Sequence, residues 1–234
     1  DDKIAANTAL AGTLDKLVDT EYLKMVRPPE RGSKTFADIA VVSGGGTPST
    51  KTPSYWDGAV WWATPTDMTA LSGPYPRSTS RTISEDGLAA CSSKLFAPGA
   101  ILMTSRATIG ALAVNEVPTA VNQGFIVVEP HEPHMRWWLF HQMRSRIDEF
   151  LSWANGATFL ELSRGTFKKL PVLIAPDDRI EAFDRFANNA HRLASSALSE
   201  NDKLAATRDA LLPQLMSGKL RVRDAETLAS EAGA

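Results

Sequence analysis

Three side chains near the middle of the chain have the chemistry to read a base edge: Arg106, Asn122 and Gln123. A guanidinium matches the O6/N7 edge of guanine with two donors. A carboxamide matches the N6/N7 edge of adenine with a donor and an acceptor. Arg106 stands in the polar break Ser105-Arg106-Ala107-Thr108 between two apolar runs, and Asn122-Gln123-Gly124 interrupts a third. The competing reading, open at this level, is that these groups tie turns together inside the fold. Thr64, Thr66 and Asp67 follow an aromatic stretch in a polar loop, where a scaffold presents side chains to a ligand. Arg164, Lys168 and Lys169 flank a short segment that Ser163 is suited to cap. They fit phosphate contacts, against the plainer reading of a solvated basic face.

Other patterns exclude chemistry. Gly44-Gly45-Gly46 is followed by Thr47-Pro48, not by the Gly-Lys-Ser/Thr that a phosphate loop needs. The glycines are instead expected to mark a turn that requires free backbone angles. His131-Glu132-Pro133-His134 lacks further ligands at matched spacing, so no metal site is expected. Cys91, the single cysteine, rules out an intrachain disulfide and a cysteine metal cluster. Neither the Asn/Asp-Pro-Pro-Tyr/Phe motif of an amino-methyltransferase nor a carboxylate–lysine cluster of a nuclease is present. No catalytic residue and no cofactor are expected.

The elements that must position these residues begin with Asp177–Leu212, which holds no glycine or proline and is bracketed by Pro176 and Pro213. Phe183, Ala190, Ala197, Leu204 and Leu211 fall seven apart, with Phe186 and Leu193 between the early ones. This is coiled-coil spacing. Such a helix runs roughly 50 Å at about 1.5 Å per residue, and needs another helix beside it. Residues 1–26 supply one, with Leu10, Leu14, Leu17 and Val18 on one side and Arg27-Pro28-Pro29 ending it. Asp2-Lys3-Ile4-Ala5-Ala6 reappears as Asp202-Lys203-Leu204-Ala205-Ala206, which reads as an internal repeat. The expectation is side-by-side packing, antiparallel or crossed, that buries Leu10, Leu14, Phe183, Phe186, Leu193 and Leu204. Leu211 extends the same stripe, and Asn188, Asn189 and Asn201 lie near it to set register.

Between these helices, residues 30–34 read as a linker and 36–42 as a short helix or strand. Strands are predicted at 60–64, 100–104, 109–114, 120–128 and 170–174. Helices are predicted near 85–90, at 133–153 with Trp137, Phe140, Met143, Ile147, Phe150 and Leu151 inward, and at 166–169. Tyr55, Trp56, Trp61 and Trp62 are expected to be mainly core. Net charge is −2 over 234 residues. Residues 31–175 hold 13 Lys/Arg against 11 Asp/Glu, and both ends are mildly acidic. DNA binding is allowed by this balance and not demanded. No apolar run reaches membrane-span length and the start is not signal-like, so a cytoplasmic protein fits best. A chain that opens at Asp1 inside a helix reads as a fragment.

The ordered set Gly45-Gly46-Thr47-Pro48-Ser49, Trp61-Trp62-Ala63-Thr64-Pro65-Thr66-Asp67, Thr104-Ser105-Arg106-Ala107-Thr108-Ile109-Gly110 and Val121-Asn122-Gln123-Gly124-Phe125 closely resembles the target recognition domain of type I restriction-modification specificity subunits. Gly156-Ala157-Thr158-Phe159 with Ser163-Arg164-Gly165-Thr166-Phe167 resembles that domain's closing motif, and 208–218 the end of the family's spacer helix. The resemblance implies an α+β fold, with a mixed-sheet recognition domain at 28–175 flanked by spacer helices at 1–27 and 176–216 and a tail at 217–234. It implies a non-catalytic subunit that reads one half of a split double-stranded DNA site and docks methyltransferase subunits through its helices, with the restriction subunit an indirect partner. Full-length members usually carry two such domains. One domain here implies a half-subunit or C-terminal half, completed by a second copy or second half through the long helices. Loop 74–82, with Arg77 and Arg81, is then a further candidate for base reading. The rival readings are a coiled-coil scaffold without DNA readout and a stand-alone methyltransferase or nuclease.

Overall fold

The structure, a computed structural model, describes residues 1–26, 31–156 and 160–219. Residues 157–159 of the closing motif, the helix stop at 27–29 and the tail beyond 219 lie outside the described residues. Val18–Ala187 make one compact unit. Asp1–Leu17 make another with the described residues from Asn188 onward.

The larger unit holds three sheets. Strands β2 (Ala40–Ser43), β8 (Phe125–Pro130), β5 (Ile101–Thr104) and β6 (Leu112–Val114) form an antiparallel sheet in that order. Strand β3 (Trp56–Ala63) lies between β4 (Thr82–Ile83), antiparallel, and β7 (Thr119–Val121), parallel. Strand β1 (Arg31–Thr35) pairs antiparallel with β9 (Pro171–Leu173). The segment expected as a linker is therefore largely a strand, paired with β9 in a register that shifts between Arg31 and Thr35. All four residues of β5 are buried, as a short continuous apolar run predicts. Leu102, Val121, Phe125 and Val127 share a core with Phe96, and Trp56, Trp62, Ile83 and Ala120 form a second. Trp56 and Trp62 meet edge to face at 5.2 Å.

The single helix expected at 133–153 is two, α5 (Met135–Ser145) and α6 (Ile147–Ser152). Arg146 breaks it at φ −117, ψ 19. Its buried guanidinium is held by Glu149 and by the carbonyl of Pro171 at 2.7 Å. Gln142 completes the docking of α5 on β9, donating to the Leu173 carbonyl and accepting from its amide.

Two long helices contribute to both units: α1 (Asp2–Met25) and α8 (Asp177–Met216). In the larger unit Tyr22 packs against Trp138 and Phe183 at 5.0 and 5.9 Å. Asp19 bonds His141 and Arg144 there. In the smaller unit the helices run antiparallel. Asn201 donates to the Ile4 carbonyl and the Thr8 hydroxyl, Asn7 donates to Glu200, and Arg208 bonds Asp1. One buried series on α8 steps through Phe183, Ala187, Ala190, Ala194, Ala197 and Asn201, alternating three and four apart, and Ile180, His191 and Leu198 are buried as well. The seven-residue series through 183, 190 and 197 was legible, but the intervening positions are 187 and 194, one residue beyond Phe186 and Leu193. Phe186 (37% exposed), Leu193 (51%) and Leu10 (40%) are thus exposed where burial was expected. The small alanines of this series let helix backbones approach closely. Leu14, Leu204 and Leu211 are half-buried. Asn188 and Asn189 face solvent, and only Asn201 of the three asparagines enters the seam. Pro213 does not end α8, which continues to Met216, with the Ser217 amide bonding the Pro213 carbonyl. Among the described residues, no helix is long and apolar enough to cross a membrane.

Candidate nucleic-acid interface

The segments singled out for base chemistry meet at one end of the larger unit's sheets, where β2, β3, β5 and β7 finish and β8 begins. Backbone bonds join them in sequence. The Gly46 amide reaches the Val121 carbonyl at 3.1 Å, and the Asn122 amide reaches Ala63 at 3.0 Å. The Ser105 amide reaches Gly124 at 2.8 Å, and the Leu162 amide reaches Ser105 at 3.0 Å. The indole of Trp62 donates to the Gly46 carbonyl.

The three glycines make this convergence possible, for a different reason from the expected turn. None of them has a positive φ. A Cβ on Gly45 would overlap the Val121 carbonyl, one on Gly46 would strike the Ser92 hydroxyl, and one on Gly44 would sit 2.8 Å from the Phe125 carbonyl. They are there because backbones pass too closely for any side chain.

Several predicted site residues hold this end together. Asp67 accepts from the amide and hydroxyl of Thr64 at 2.8 and 2.7 Å, capping α3 (Pro65–Thr69), and from the Ser80 amide at 2.8 Å. Burial alone would push its carboxyl up. The bonds from Thr64 and Ser80 outweigh that and hold it below its usual range. Asn122 accepts from the Gly124 amide at 2.8 Å, closing its own turn. Arg77 is half-buried. Arg81 is exposed but stacks on Trp56, its guanidinium carbon 3.5 Å from the ring centroid.

Other predicted residues remain presented outward. Gln123 is exposed and accepts from the Thr47 hydroxyl at 2.5 Å, which leaves its amide NH2 pointing to no partner among the described residues. Thr66 is exposed on α3. Arg164 opens α7 (Arg164–Lys168), whose N-terminus Ser163 caps through the Thr166 amide, as its position predicts. Arg164 lies over Gly44, its Cδ and Nη1 3.0 Å from where that residue's Cβ would be. Lys168 and Lys169 are exposed at the other end of α7. Arg106 is exposed and ion-paired to Glu161 at 2.8 Å. Sequence reasoning missed Thr47 and Glu161. Each touches a predicted residue far away in the chain, and no local pattern announces that. Among the described residues no group of His, Cys, Asp or Glu is arranged to hold a metal ion. The assembled end offers exposed amide, hydroxyl and guanidinium groups on a stapled backbone, chemistry suited to base edges and phosphates.

Residues 30–184 match the family model described as the type I restriction modification DNA specificity domain. The chain is 35% identical over 147 residues to the type I restriction enzyme MjaIX specificity subunit of Methanocaldococcus jannaschii, covering 62% of this chain and 34% of that one. It is 30% identical over 123 residues to the EcoR124I/EcoR124II specificity subunit of Escherichia coli, covering 50% and 30%. Among solved structures, the type I restriction-modification S subunit of M. genitalium superposes with a TM-score of 0.62 at 13% identity, over 92% of this chain and 57% of that chain. The HsdS subunit of Thermoanaerobacter tengcongensis superposes with a TM-score of 0.52 at 15% identity, over 92% and 54%. These structural likenesses speak for the fold. The chain spans about half the length of the solved structures and the matched stretches about a third of the sequence relatives.

Proposed function

The chain belongs to the type I restriction-modification DNA specificity family, and from that premise we propose that it reads one half of a split duplex DNA target for a modification enzyme whose chemistry other subunits perform. The observation that carries this reading is the gathering of Arg106, Gln123, Thr47, Thr66 and Arg164 at one end of the sheets, on turns and short capped helices joined by backbone hydrogen bonds. Exposed Lys168 and Lys169 add sequence-independent attraction for phosphates. The chain itself is non-catalytic.

The helices serve assembly. Lys3 and Glu200 meet at 3.4 Å and mark one edge of the antiparallel pair in the smaller unit. Seven and fourteen residues further along that edge of α1 stand Leu10 and Leu17, and seven residues back on α8 stands Leu193, each 40–51% exposed. An apolar edge of this kind suits a further helix. Its occupant is a methyltransferase subunit or the helices of a second copy or second half. The second copy restores two recognition domains about a two-fold axis and favours inverted half-sites.

The test is a methylation map. The chain is co-expressed with the methyltransferase subunits of its own system, and modified positions are read across the host DNA. One recurrent sequence that vanishes when the chain is omitted supports recognition. Modification that is the same with and without the chain sinks it.

A further inference from the structure

Arg106 is not merely exposed; it is aimed. Its backbone follows β5 and faces Glu161 as an isolated antiparallel bridge. The Leu162 amide bonds the Ser105 carbonyl and the Ala107 amide bonds the Leu160 carbonyl, at 3.0 and 3.2 Å. These bonds flank the Arg106–Glu161 pair, and the two residues do not bond each other's backbones. In that geometry opposed side chains approach most closely. Glu161 is itself fixed on its other side by a reciprocal backbone pair with Asn155, at 3.0 and 2.9 Å. Behind Arg106 the turn is stapled three times. The Gly110 amide bonds the Thr104 carbonyl, the Thr104 amide bonds Ala111, and the Thr104 hydroxyl accepts from the Ala111 amide. Ala107 holds a φ of +59 within this turn, a conformation that a non-glycine residue keeps only where its surroundings dictate it.

On this frame the Glu161 carboxylate is ion-paired beside the Arg106 Nε, at 2.8 Å. A guanidinium held at Nε has one bidentate edge left, the Nη1/Nη2 end. Among the described residues nothing occupies that end, and the side chain is 47% exposed. An end-on pair of N–H donors matches guanine O6 and N7 in the major groove. A long side chain otherwise sacrifices rotamer freedom when it docks, and an orienting partner removes much of that cost before DNA arrives.

We infer that Glu161 is a positioning residue for sequence readout: it holds Arg106 by Nε so that the Nη end is presented to a guanine. This rests on the DNA-reading function proposed above and names one base-specific contact within it. An isolated surface ion pair contributes little stability, so a merely structural role predicts no change in base preference when it is broken.

The experiment is selection of duplexes from a library with randomised positions, by the full chain assembled with its methyltransferase subunits. It compares wild type, Arg106→Lys, Glu161→Ala and Glu161→Gln, each shown by thermal melting to be folded. Wild type is expected to enrich guanine in a defined column. Arg106→Lys keeps the charge but lacks the fork, and is expected to flatten that column. Glu161→Ala is expected to lower guanine preference in the same column by about tenfold, within the range one bidentate contact controls, with the other columns unchanged. Glu161→Gln retains a polar oxygen of the same reach beside Nε and is expected to keep the preference within about twofold. Both Glu161 substitutions remove a negative charge from a DNA-binding surface and raise overall affinity alike, so affinity and preference separate. If wild type enriches a site and Glu161→Ala reproduces it column for column, or flattens every column equally, the positioning role is wrong while DNA reading stands. If wild type enriches nothing, DNA reading fails and this inference with it.

Discussion

At the scale of single residues, polar groups at the sheet ends divide between those that build the surface and those that are offered from it. Asp67 belongs to the builders. Its carboxylate caps α3 and staples the Ser80 loop with three bonds, so Asp67→Ala is expected to cost about 1 kcal/mol, the usual price of a lost cap, and about 2–4 °C of melting temperature for a domain of this size. Its folded pKa is depressed from 3.8. The stabilisation is therefore present at neutral pH and is lost as pH falls through that lowered value. Melting curves of wild type and variant should converge between pH 5 and the acid limit, as about 1 kcal/mol is titrated away. A constant gap down to pH 3 would show that the charge does not matter. Which polar residues cluster was legible from the way motifs interrupt apolar runs, as with Arg106 and Asn122–Gly124. Which of them are spent on the fold was not, because the partners of Asp67 and Gln123 lie 13 and 76 residues away. The role of Gly44 and Gly45 is not legible in the sequence, because backbone proximity to Phe125 and Val121 is a tertiary fact.

At the scale of elements, strands and short helices were readable where an apolar run had clear boundaries, and β5, α4 (Glu85–Ala89) and the Ser163-capped α7 are examples. The break at Arg146 was invisible because its cause, a guanidinium drawn to the Pro171 carbonyl, sits 25 residues downstream. On α8 the hydrophobic count favours Phe186 and Leu193, whereas the buried series runs from Phe183 through Ala187, Ala190, Ala194 and Ala197 to Asn201, with Leu198 buried as well. The displaced leucines then become an outer edge. Substituting Leu10 and Leu193 together by glutamate should leave the melting of the chain alone within about 0.5 kcal/mol, as for ordinary surface positions. It should also weaken assembly with the helical partner by at least about tenfold, the scale of one buried hot spot. Sedimentation with and without the methyltransferase subunits reads both effects. Assembly unchanged by the double substitution would show that the edge is only surface.

At the scale of the whole molecule, a slightly negative chain binds a polyanion only through its charge distribution. Between residues 31 and 175 the excess is two positive charges, so sequence-independent attraction is weak, and the proposed DNA reading assigns the affinity to fitted contacts at the sheet ends. That makes discrimination the quantity to measure. Fluorescence anisotropy of the assembled chain at about 0.15 M salt would compare a duplex carrying the sequence it directs to be modified with a scrambled duplex of equal composition. Specific DNA readers commonly reach 10³-fold and beyond. A ratio of at least about a hundredfold is expected here, and equal affinity for the two duplexes would contradict sequence recognition by this chain.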